Sequence, residues 1–359
     1  MYSTPQLCAR LARLLALIGC SATAYGAHAT MTLYGAVDSF LQYSDNGGST
    51  ALRLQSGGAS TSRWGLTGSE DLGGGAYAGF RLEGGINLMN GQQQSATSTF
   101  NRESNVWIGS ERWGVLKFGK QYPAIPPEGA DPFYAVGMLS PWASTVLAIS
   151  DLGAGVTTVQ ARVDNAVSYH TPTFNGLSAT VLYALRNEAG SSPVARNTGG
   201  LIDYARGPLE LTVSYNAVWA DAPPVSGAPA TPSGPRTDLV MASALYQIGP
   251  VATSATYTLT RPTAPNTYVA SVYSLGAVWS NGPHAIRAGA VYRNVSGRED
   301  SAIGALLGYD YQFSKLTGLY ARVGAFRNQG QSAISFGSDP LSTPGVNPFV
   351  VAVGIRKKF

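Results

Sequence analysis

Apolar and polar side chains alternate along the stretch SRWGLTGSEDLGGGAYAGFRLEGG, residues 62–85, on both sides of a glycine-rich turn. A period of two predicts β-strands with two unlike faces. The intervening EDLGGG contains the residues that tolerate a tight reversal. The stretch therefore predicts a β-hairpin. Its apolar face carries Trp64, Leu66, Phe80 and Leu82, and its other face carries Arg63, Arg81 and Glu83.

The same alternation recurs along the chain from residue 31 to the end. We count sixteen segments of this kind with no helical pattern between them, so the sequence predicts one all-β domain over residues 30–359. The predicted strands span residues 31–43, 58–69, 75–89, 101–111, 113–122, 157–170, 176–188, 198–206, 208–220, 236–249, 251–262, 267–281, 283–296, 301–313, 316–329 and 347–359.

Short and long connections between the predicted strands alternate with strict parity. SEDLGG, ERWG, IGP and SKLT are tight turns, whereas 221–235 and 330–347 are long and polar. This parity places all tight turns at one end, as in transmembrane β-barrels. Inside a bilayer no water can bond exposed backbone groups, so a sheet that crosses it must close on itself. The predicted fold is a 16-stranded antiparallel transmembrane β-barrel.

The last predicted strand, FVVAVGIRKKF, ends the chain on Phe359. Chain termini in water usually fray, but the last strand of a barrel must pair with the first, and a defined aromatic end suits that pairing. The apolar face of the hairpin is then expected to face lipid. Arginine on that face near the bilayer midplane would cost about 2–4 kcal/mol, so Arg63 and Arg81 are expected to face a wet lumen.

Composition supports this interpretation. Only 12% of the 359 residues are charged, against roughly 25% in soluble domains, and no run of 18 apolar residues could span a bilayer as a helix. The formal net charge is only +4, and the sole basic cluster is the RKK before the last residue, so a nucleic-acid partner is not predicted. The aromatic residues suit girdles at the two membrane interfaces. The tryptophans of that set are Trp64, Trp107, Trp113, Trp219 and Trp279.

Residues 1–29 are predicted to be a cleaved secretory signal peptide. Arg10 and Arg13 precede a short apolar run and an AHA cleavage motif at 27–29. The alternative is the preceding LIGC, which resembles a lipoprotein signal cleaved before Cys20. Without residues 1–29 the chain carries 22 Lys and Arg against 20 Asp and Glu, a net charge of +2, and no cysteine. No disulfide or thiolate metal site is therefore predicted.

Several stretches resemble the general porins of Gram-negative bacteria, especially the β-proteobacterial branch: TLYGAVDSFLQY, SRWGLTGSEDLGGG, RVDNAVSYHTPTFNGLSATVLY, YDYQFSKLTGLYA and the ending VGIRKKF. The resemblance runs from about Thr32 to Phe359. It implies a homotrimer of 16-stranded barrels, surrounded by outer-membrane lipids and lipopolysaccharide, through which small hydrophilic solutes and ions diffuse passively. It also implies insertion by the barrel-assembly machinery, with Phe359 as the C-terminal assembly signal. The third long loop, about 123–156 here, is expected to fold inward and narrow the pore.

In the porins that this chain resembles, a ladder of basic side chains on the wall faces acids on the inward loop. Arg63 in SRWG and Arg162 in RVDNAVSY match wall arginines of that ladder. A third wall arginine falls at Ser104 here, and Arg102, on the same predicted face, could replace it. The first-strand position that carries lysine in some members is Ala36.

Alternation adds two further bases to the predicted lumen face, Arg81 and Lys117. On the loop, the stretch PPEGADPF offers Glu128 and Asp131 as the acids of the pore eyelet. These bases outnumber these acids, so weak anion selectivity is expected. Two other acids are expected to be local structural partners, namely Asp151 and Asp164.

The sequence predicts no catalytic residue, metal site or cofactor. His170 and His284 lie in tight turns, and neither has the neighbours of a nucleophile motif or of a metal site. Three alternatives to a general porin remain. The first is a porin specific for one solute, and the second is an adhesin that exposes loop 221–235. The third is an outer-membrane β-barrel enzyme of the phospholipase type, which would need a serine and a histidine close together on a lipid-facing strand.

Overall fold

A computed structural model describes residues 30–134, 137–186, 195–220, 234–337, 339 and 341–359. The predicted signal peptide and most of the proline-rich loop, 221–233, lie outside these residues. The described chain contains a 3-10 helix (Glu128–Ala130), helix α1 (Pro141–Val146) and seventeen β-strands. No helix in this part of the chain is long and apolar enough to span a membrane. The strands are β1 (Thr30–Asp45), β2 (Thr50–Ser56), β3 (Arg63–Gly73), β4 (Ala76–Gly85), β5 (Glu103–Ser110), β6 (Gly114–Gln121), β7 (Val163–His170), β8 (Leu177–Leu185), β9 (Ala195–Arg206), β10 (Leu209–Trp219), β11 (Arg236–Ile248), β12 (Val251–Pro262), β13 (Ala270–Asn281), β14 (His284–Val295), β15 (Ser301–Gln312), β16 (Thr317–Gln329) and β17 (Phe349–Lys358).

The strands form one closed antiparallel sheet. Apart from β2 and β3, which do not form a ladder with each other, each strand pairs with its neighbours in sequence, and β17 returns to pair with β1. β2 and β3 both pair with β1, β2 with its second half and β3 with its first half. They are therefore two parts of one stave that is interrupted at residues 57–62. The barrel has sixteen staves, which confirms the predicted fold.

The predicted parity of the connections holds except at residues 46–49 and 296–300, where connections at the long-loop end are as short as the tight turns. Turns of two to six residues join β3 to β4, β5 to β6, and each later pair in the same phase, whereas the intervening connections include those at 86–102, 122–162 and 330–348. Three features differ from the prediction by five residues or more, and the first is that β3 begins at Arg63 rather than at 58. The segment 50–56 was expected to be loop, and β7 begins at Val163 rather than at 157. The β6–β7 ladder shifts its register between Gly119 and Gln121 and ends at the Gln121–Val163 pair, where the two strands separate into the long loop.

The two faces of the wall have opposite character. In β15, Ile303 and Leu307 are 56% and 57% exposed, while Leu306 and Asp310 on the other face are buried. In β17, Val351, Val353 and Ile355 are exposed while Val350 and Ala352 are buried. A continuous exposed apolar band is stable only against lipid. The outer face of the barrel is therefore the lipid face, and the opposite side chains point into the lumen.

Phe359 closes the seam between the last strand and the first. Its backbone N–H donates to the Gly35 carbonyl at 3.1 Å, and its carbonyl accepts from the Gly35 N–H at 3.0 Å. The Phe359 ring lies on Gly35, where an added Cβ would be 2.3 Å from the ring Cζ and 2.7 Å from the Arg63 carbonyl oxygen. Gly35 therefore has no room for a side chain, and the terminal aromatic covers it.

We expect Gly35→Ala to weaken closure of the barrel, because the new methyl group would collide with both the Phe359 ring and a backbone carbonyl that cannot move away. The melting temperature of the folded form, followed by heat-modifiable mobility on gels, should fall. Gly200→Ala is the matched control, since Gly200 in β9 has only one atom, the Thr180 carbonyl oxygen at 3.9 Å, near its added Cβ. Equal melting temperatures for the two variants would contradict this account of the seam.

Candidate pore constriction

The loop 122–162, between β6 and β7, crosses the lumen and packs against the opposite wall. Its 3-10 helix contacts β11 and β12, and α1 contacts β13, β14 and β15. Apolar side chains of the loop form one buried cluster with apolar side chains of that wall. The loop therefore fills this side of the lumen with a small hydrophobic core. Its members include Phe133, Leu139 and Val146 from the loop and Leu239, Met241, Val272, Val291 and Leu306 from the wall.

Buried arginines on the same wall hold the loop in place. Arg293 is 0% exposed, and its Nη1 and Nη2 donate to the two carboxylate oxygens of Asp151 at 2.7 and 2.6 Å. Nη2 also donates to the Ala148 carbonyl at 2.9 Å. This bidentate arrangement is the strongest geometry for an arginine–carboxylate pair. Asp151 is thus a local structural partner, as predicted.

A second anchor involves three charged residues on adjacent strands. Arg287 and Arg322 both donate to the Asp310 carboxylate at 2.6 Å. Arg287 also donates through Nη1 to the carbonyl of Pro132 at 2.5 Å, and its guanidinium lies 4.6 Å from the ring centroid of Tyr134. The carboxylate therefore orients two arginines, and one of them fastens the start of the loop.

The interrupted stave holds the far side of the loop. Asp38 is fully buried, and its carboxylate accepts hydrogen bonds from the Gly58, Ala59 and Ser60 N–H groups and from the Tyr320 hydroxyl at 2.6 Å. These bonds draw residues 57–62 inward. The backbone N–H groups of Met138 and Leu139 then donate to the Gly57 and Gly58 carbonyls, at 2.9 and 3.3 Å. The loop is therefore fixed on both sides, and we infer that the passage lies between it and β3–β7.

Charged side chains line this passage. Glu83 on β4 accepts from the Arg102 Nε at 2.5 Å, and its other oxygen is 3.5 Å from the Arg63 Nε. The Tyr34 hydroxyl also donates to Glu83, at 3.0 Å. Arg63 is further oriented by donation to the Thr61 carbonyl at 2.9 Å. One carboxylate thus holds two of the predicted wall arginines side by side.

The next two predicted bases lie nearer the tight-turn end. The Arg81 Nη1 is 3.4 Å from the Glu103 carboxylate, and its guanidinium lies 5.9 Å from the Tyr34 ring centroid. The Lys117 ammonium lies 5.7 Å from the ring centroid of Trp107. Trp107 therefore faces the lumen, whereas the sequence analysis placed it among the girdle residues at the membrane interface.

Tyr122 links the two ends of the loop, because it contacts both Glu128 near the start and Arg162 at the end. The Arg162 guanidinium stacks on the Tyr122 ring at 3.3 Å, and the Tyr122 hydroxyl donates to the Glu128 carboxylate at 3.2 Å. Burial lowers the pKa of Arg162, and the nearby Arg102 lowers it further, although arginine stays charged in proteins. Burial also raises the pKa of Tyr122, so the phenol remains neutral and keeps its proton for Glu128.

Asp131 and Ser104 lie elsewhere than the sequence suggested. Asp131 is 2% exposed, and its carboxylate accepts from the Ser140 hydroxyl at 2.5 Å and from the Phe133 N–H at 3.0 Å. It therefore orders the loop from inside instead of presenting a charge to the passage. Ser104 is exposed between two buried neighbours on the strand, so it faces outward. Arg102 lies before the first residue of β5, so the alternation of that strand does not determine its direction. Its side chain can therefore turn inward and reach Glu83.

Sequence reasoning missed the carboxylates that neutralise part of the basic wall, Glu83 and Glu103. Their signal was available, because Glu83 shares a face with Arg81 in the alternation. The sequence indicated the anchoring arginines less clearly, because each is a single basic residue on the inward face of a long strand. They are Arg287, Arg293 and Arg322. In the described part of the chain, no group of three His, Cys, Asp or Glu residues is placed to hold a metal ion.

We expect Arg293→Met to release the loop from the wall. The substitution leaves the Asp151 carboxylate buried without its cation, which costs about 3–5 kcal/mol for a pair of this kind. Limited proteolysis of the folded barrel in detergent should then cleave within 122–162 faster than in the wild type. The double variant Arg293→Met/Asp151→Leu should recover much of the resistance, since neither charge remains. Wild-type resistance in the single variant would show that the pair is not an anchor.

Comparison with known proteins gives a consistent result. A family model described as Gram-negative porin matches residues 14–331. Outer membrane porin protein 32 of Delftia acidovorans is 29% identical over 367 aligned residues, which cover 96% of this chain and 98% of that protein. The solved anion-selective porin from Comamonas acidovorans is 27% identical with a TM-score of 0.78, and the match covers 92% of this chain and 100% of that one. OmpT of Vibrio cholerae, solved in a trimer form, is 15% identical with a TM-score of 0.65 over 92% of this chain and 99% of that one, a likeness of fold alone.

The fold and these matches agree with each other in two respects. The closed barrel with a loop across its lumen is the architecture of a channel rather than of an enzyme, and the family model covers most of the chain. The apolar outer wall requires a membrane, which agrees with the outer-membrane location of the Delftia protein. The chain belongs to the Gram-negative porin family and forms a channel in the bacterial outer membrane.

Proposed function

We propose that this porin is a general diffusion channel with a weak preference for anions, and that the charged wall facing the loop is its selectivity filter. The observation that carries the proposal is the shared carboxylate of Glu83, which lies between Arg63 and Arg102 and can neutralise only one of them. Rings of charged side chains tune which ions pass a narrow pore. Arg81 is paired with Glu103, so the remaining positive charge, together with Lys117 and Arg162, favours anions.

The acidic side of the proposed filter is reduced to Glu128. This residue is exposed on the loop, whereas Asp131 is buried and bonded within it. A single carboxylate that faces several guanidinium groups gives a transverse field, which orients dipolar solutes. The relative from Comamonas acidovorans is described as anion-selective, which supports the same sign of selectivity here.

The proposal includes the assembly and targeting of the chain. We infer a homotrimer, because OmpT of the same fold was solved in a trimer form. Residues 1–29 act in this proposal as a cleaved signal peptide, and residues 30–359 form the mature barrel. Phe359, which closes the seam, is inferred to be the end that the barrel-assembly machinery recognises. Lipopolysaccharide and other outer-membrane lipids then surround the apolar wall.

Planar-bilayer recording of refolded residues 30–359 is the direct test of the channel. We expect stable conductance steps that appear in groups of three, because three barrels insert together. In a salt gradient, the reversal potential should have the sign of a weak anion preference. A clear cation preference would contradict the proposed filter, and a folded barrel without conductance would contradict the open channel.

Arg63→Ser tests the filter at one position. Without Arg63, Glu83 remains paired with Arg102 and the excess positive charge falls by one, so the reversal potential should shift toward cations. Conductance should rise, because a bulky guanidinium leaves the passage. Arg206→Ser is the matched control, since Arg206 is exposed at a tight turn. If both variants kept wild-type conductance and selectivity, Arg63 would lie outside the constriction.

A further inference from the structure

An apolar cavity opens beside the charged wall, at the place where the loop 122–162 leaves and rejoins the barrel. Its volume is about 420 Å³. A cavity of about 150 Å³ lined by aliphatic and aromatic side chains is large enough to bind benzene, so this one has room for a six-membered ring. Such a lining is not needed for the diffusion of small ions. The apolar residues include Ile125, Trp142, Val146, Leu147, Val159 and Met241.

Two residues that line this cavity, Arg162 and Trp142, also carry buried hydrogen-bond donors without partners. The Nε and Nη2 atoms of Arg162 and the Nε1 atom of Trp142 are buried and have no hydrogen-bond partner among the described residues. Buried donors in native proteins are nearly always satisfied, and each exception calls for an explanation, such as a ligand or a water. Three such donors on two residues of the lining therefore point to an acceptor group that binds beside them.

The arrangement of Arg162 defines that acceptor. Its guanidinium is held by stacking on the Tyr122 ring at 3.3 Å and by donation from Nη1 to the Ala161 carbonyl at 2.6 Å. The two nitrogens left over, Nε and Nη2, form the side edge of the guanidinium. Their N–H bonds run parallel, and this spacing matches the two oxygens of a carboxylate. Both nitrogens are covered by neighbouring atoms in the structure, so a carboxylate reaches this bidentate edge only when those neighbours shift.

We propose that the cavity is a binding subsite for aromatic carboxylates on their way through the pore. The carboxylate would bind the side edge of Arg162, and the ring would enter the apolar cavity beside Trp142. This inference rests on the proposed function as a diffusion channel and names a class of solute that the channel would favour. The subsite combines the positive charge of the filter with an apolar surface that ordinary inorganic anions cannot use.

The wall toward the tight-turn end offers aromatic contacts beyond the subsite. Three lumen-facing rings lie flat across glycines of the neighbouring strands, where an added Cβ would be only 2.5–2.9 Å from a ring atom. Arg81 and Lys117 lie 5.9 and 5.7 Å from two of these rings. Cations and ring faces therefore alternate along the route that an aromatic anion would follow. The ring–glycine pairs are Tyr34 on Gly65, Trp107 on Gly79 and Tyr77 on Gly109.

Glu128 limits the strength of binding. Its carboxylate accepts from the Tyr122 hydroxyl at 3.2 Å and lines the cavity at an exposed position. The negative charge of Glu128 would repel the carboxylate of a bound solute, and water near this exposed position would moderate the repulsion. The repulsion keeps the subsite weak enough for the solute to leave, which a transport channel requires. Glu128→Gln should therefore tighten binding of an aromatic acid.

The test is block of chloride current by benzoate in planar bilayers. With wild-type channels in potassium chloride, sodium benzoate should lower the current with a saturating dependence on concentration. Acetate lacks the ring and benzyl alcohol lacks the charge, so neither should saturate over the same range. In Arg162→Gln the half-blocking benzoate concentration should rise by at least about tenfold, while Glu128→Gln should lower it. Arg206→Gln, the matched arginine control, should leave it unchanged.

A second readout does not depend on current. Saturation-transfer NMR on the folded barrel in detergent should detect contacts to the ring protons of benzoate, and these should weaken in both Arg162→Gln and Trp142→Leu. The subsite would be overturned, and the diffusion channel left intact, by three results together. Chloride conductance would be normal, benzoate would block no more than acetate, and these NMR contacts would be absent. NMR contacts that require Arg162 in a barrel that passes no chloride would support the subsite and overturn the channel.

Discussion

Hydrogen bonds across the seam between β1 and β17 are the constraint on which the rest of the molecule depends. A sheet surrounded by lipid cannot leave a row of backbone groups unpaired, and the pairing from Ala36–Lys358 to Asp45–Phe349 removes the last open edge. Closure also fixes which side chains face inward, because side chains alternate strictly along each stave. Arg63 and Arg81 lie in the lumen because of this pairing. No local conformational preference of arginine is needed to place them there.

Closure creates a lumen that is wider than a selective passage needs. The loop 122–162 narrows this lumen, and it does so differently on its two sides. Against β11–β15 the loop buries apolar side chains and forms a dry core. Toward β3–β7 it leaves a gap lined by charged side chains, of which Glu83, Arg102 and Glu103 are buried and Arg63 and Arg81 are partly exposed. Buried ion pairs such as Arg293–Asp151 add little net stability compared with apolar packing, but they form only when the two side chains are held in one relative position. Their contribution here is to fix where the loop lies and hence the width of the gap.

Alternation and turn parity were sufficient to predict the sixteen staves, because both are local consequences of a closed sheet with one lipid face. The interruption at residues 57–62 could not be predicted in this way. It depends on Asp38, which accepts three backbone hydrogen bonds from that segment and one from Tyr320, nearly three hundred residues away. Likewise, the face of Arg102 could not be read from its strand, because the residue precedes β5 and is directed by Glu83.

The same limit applies to the character of the passage. The basic residues of the wall could be found singly in the sequence, but each charge acts through its neighbours, and Glu83 and Glu103 remove part of the positive field. The apolar cavity beside Arg162 has no sequence motif at all, since its lining comes from the two ends of the loop, from α1 and from Met241 on β11. Because one fixed loop brings a charged wall and an apolar surface together, the proposed subsite would discriminate by ring as well as by charge. Anion preference and preference for an aromatic solute would share Arg162 in this constriction, whereas the apolar lining acts on the ring alone.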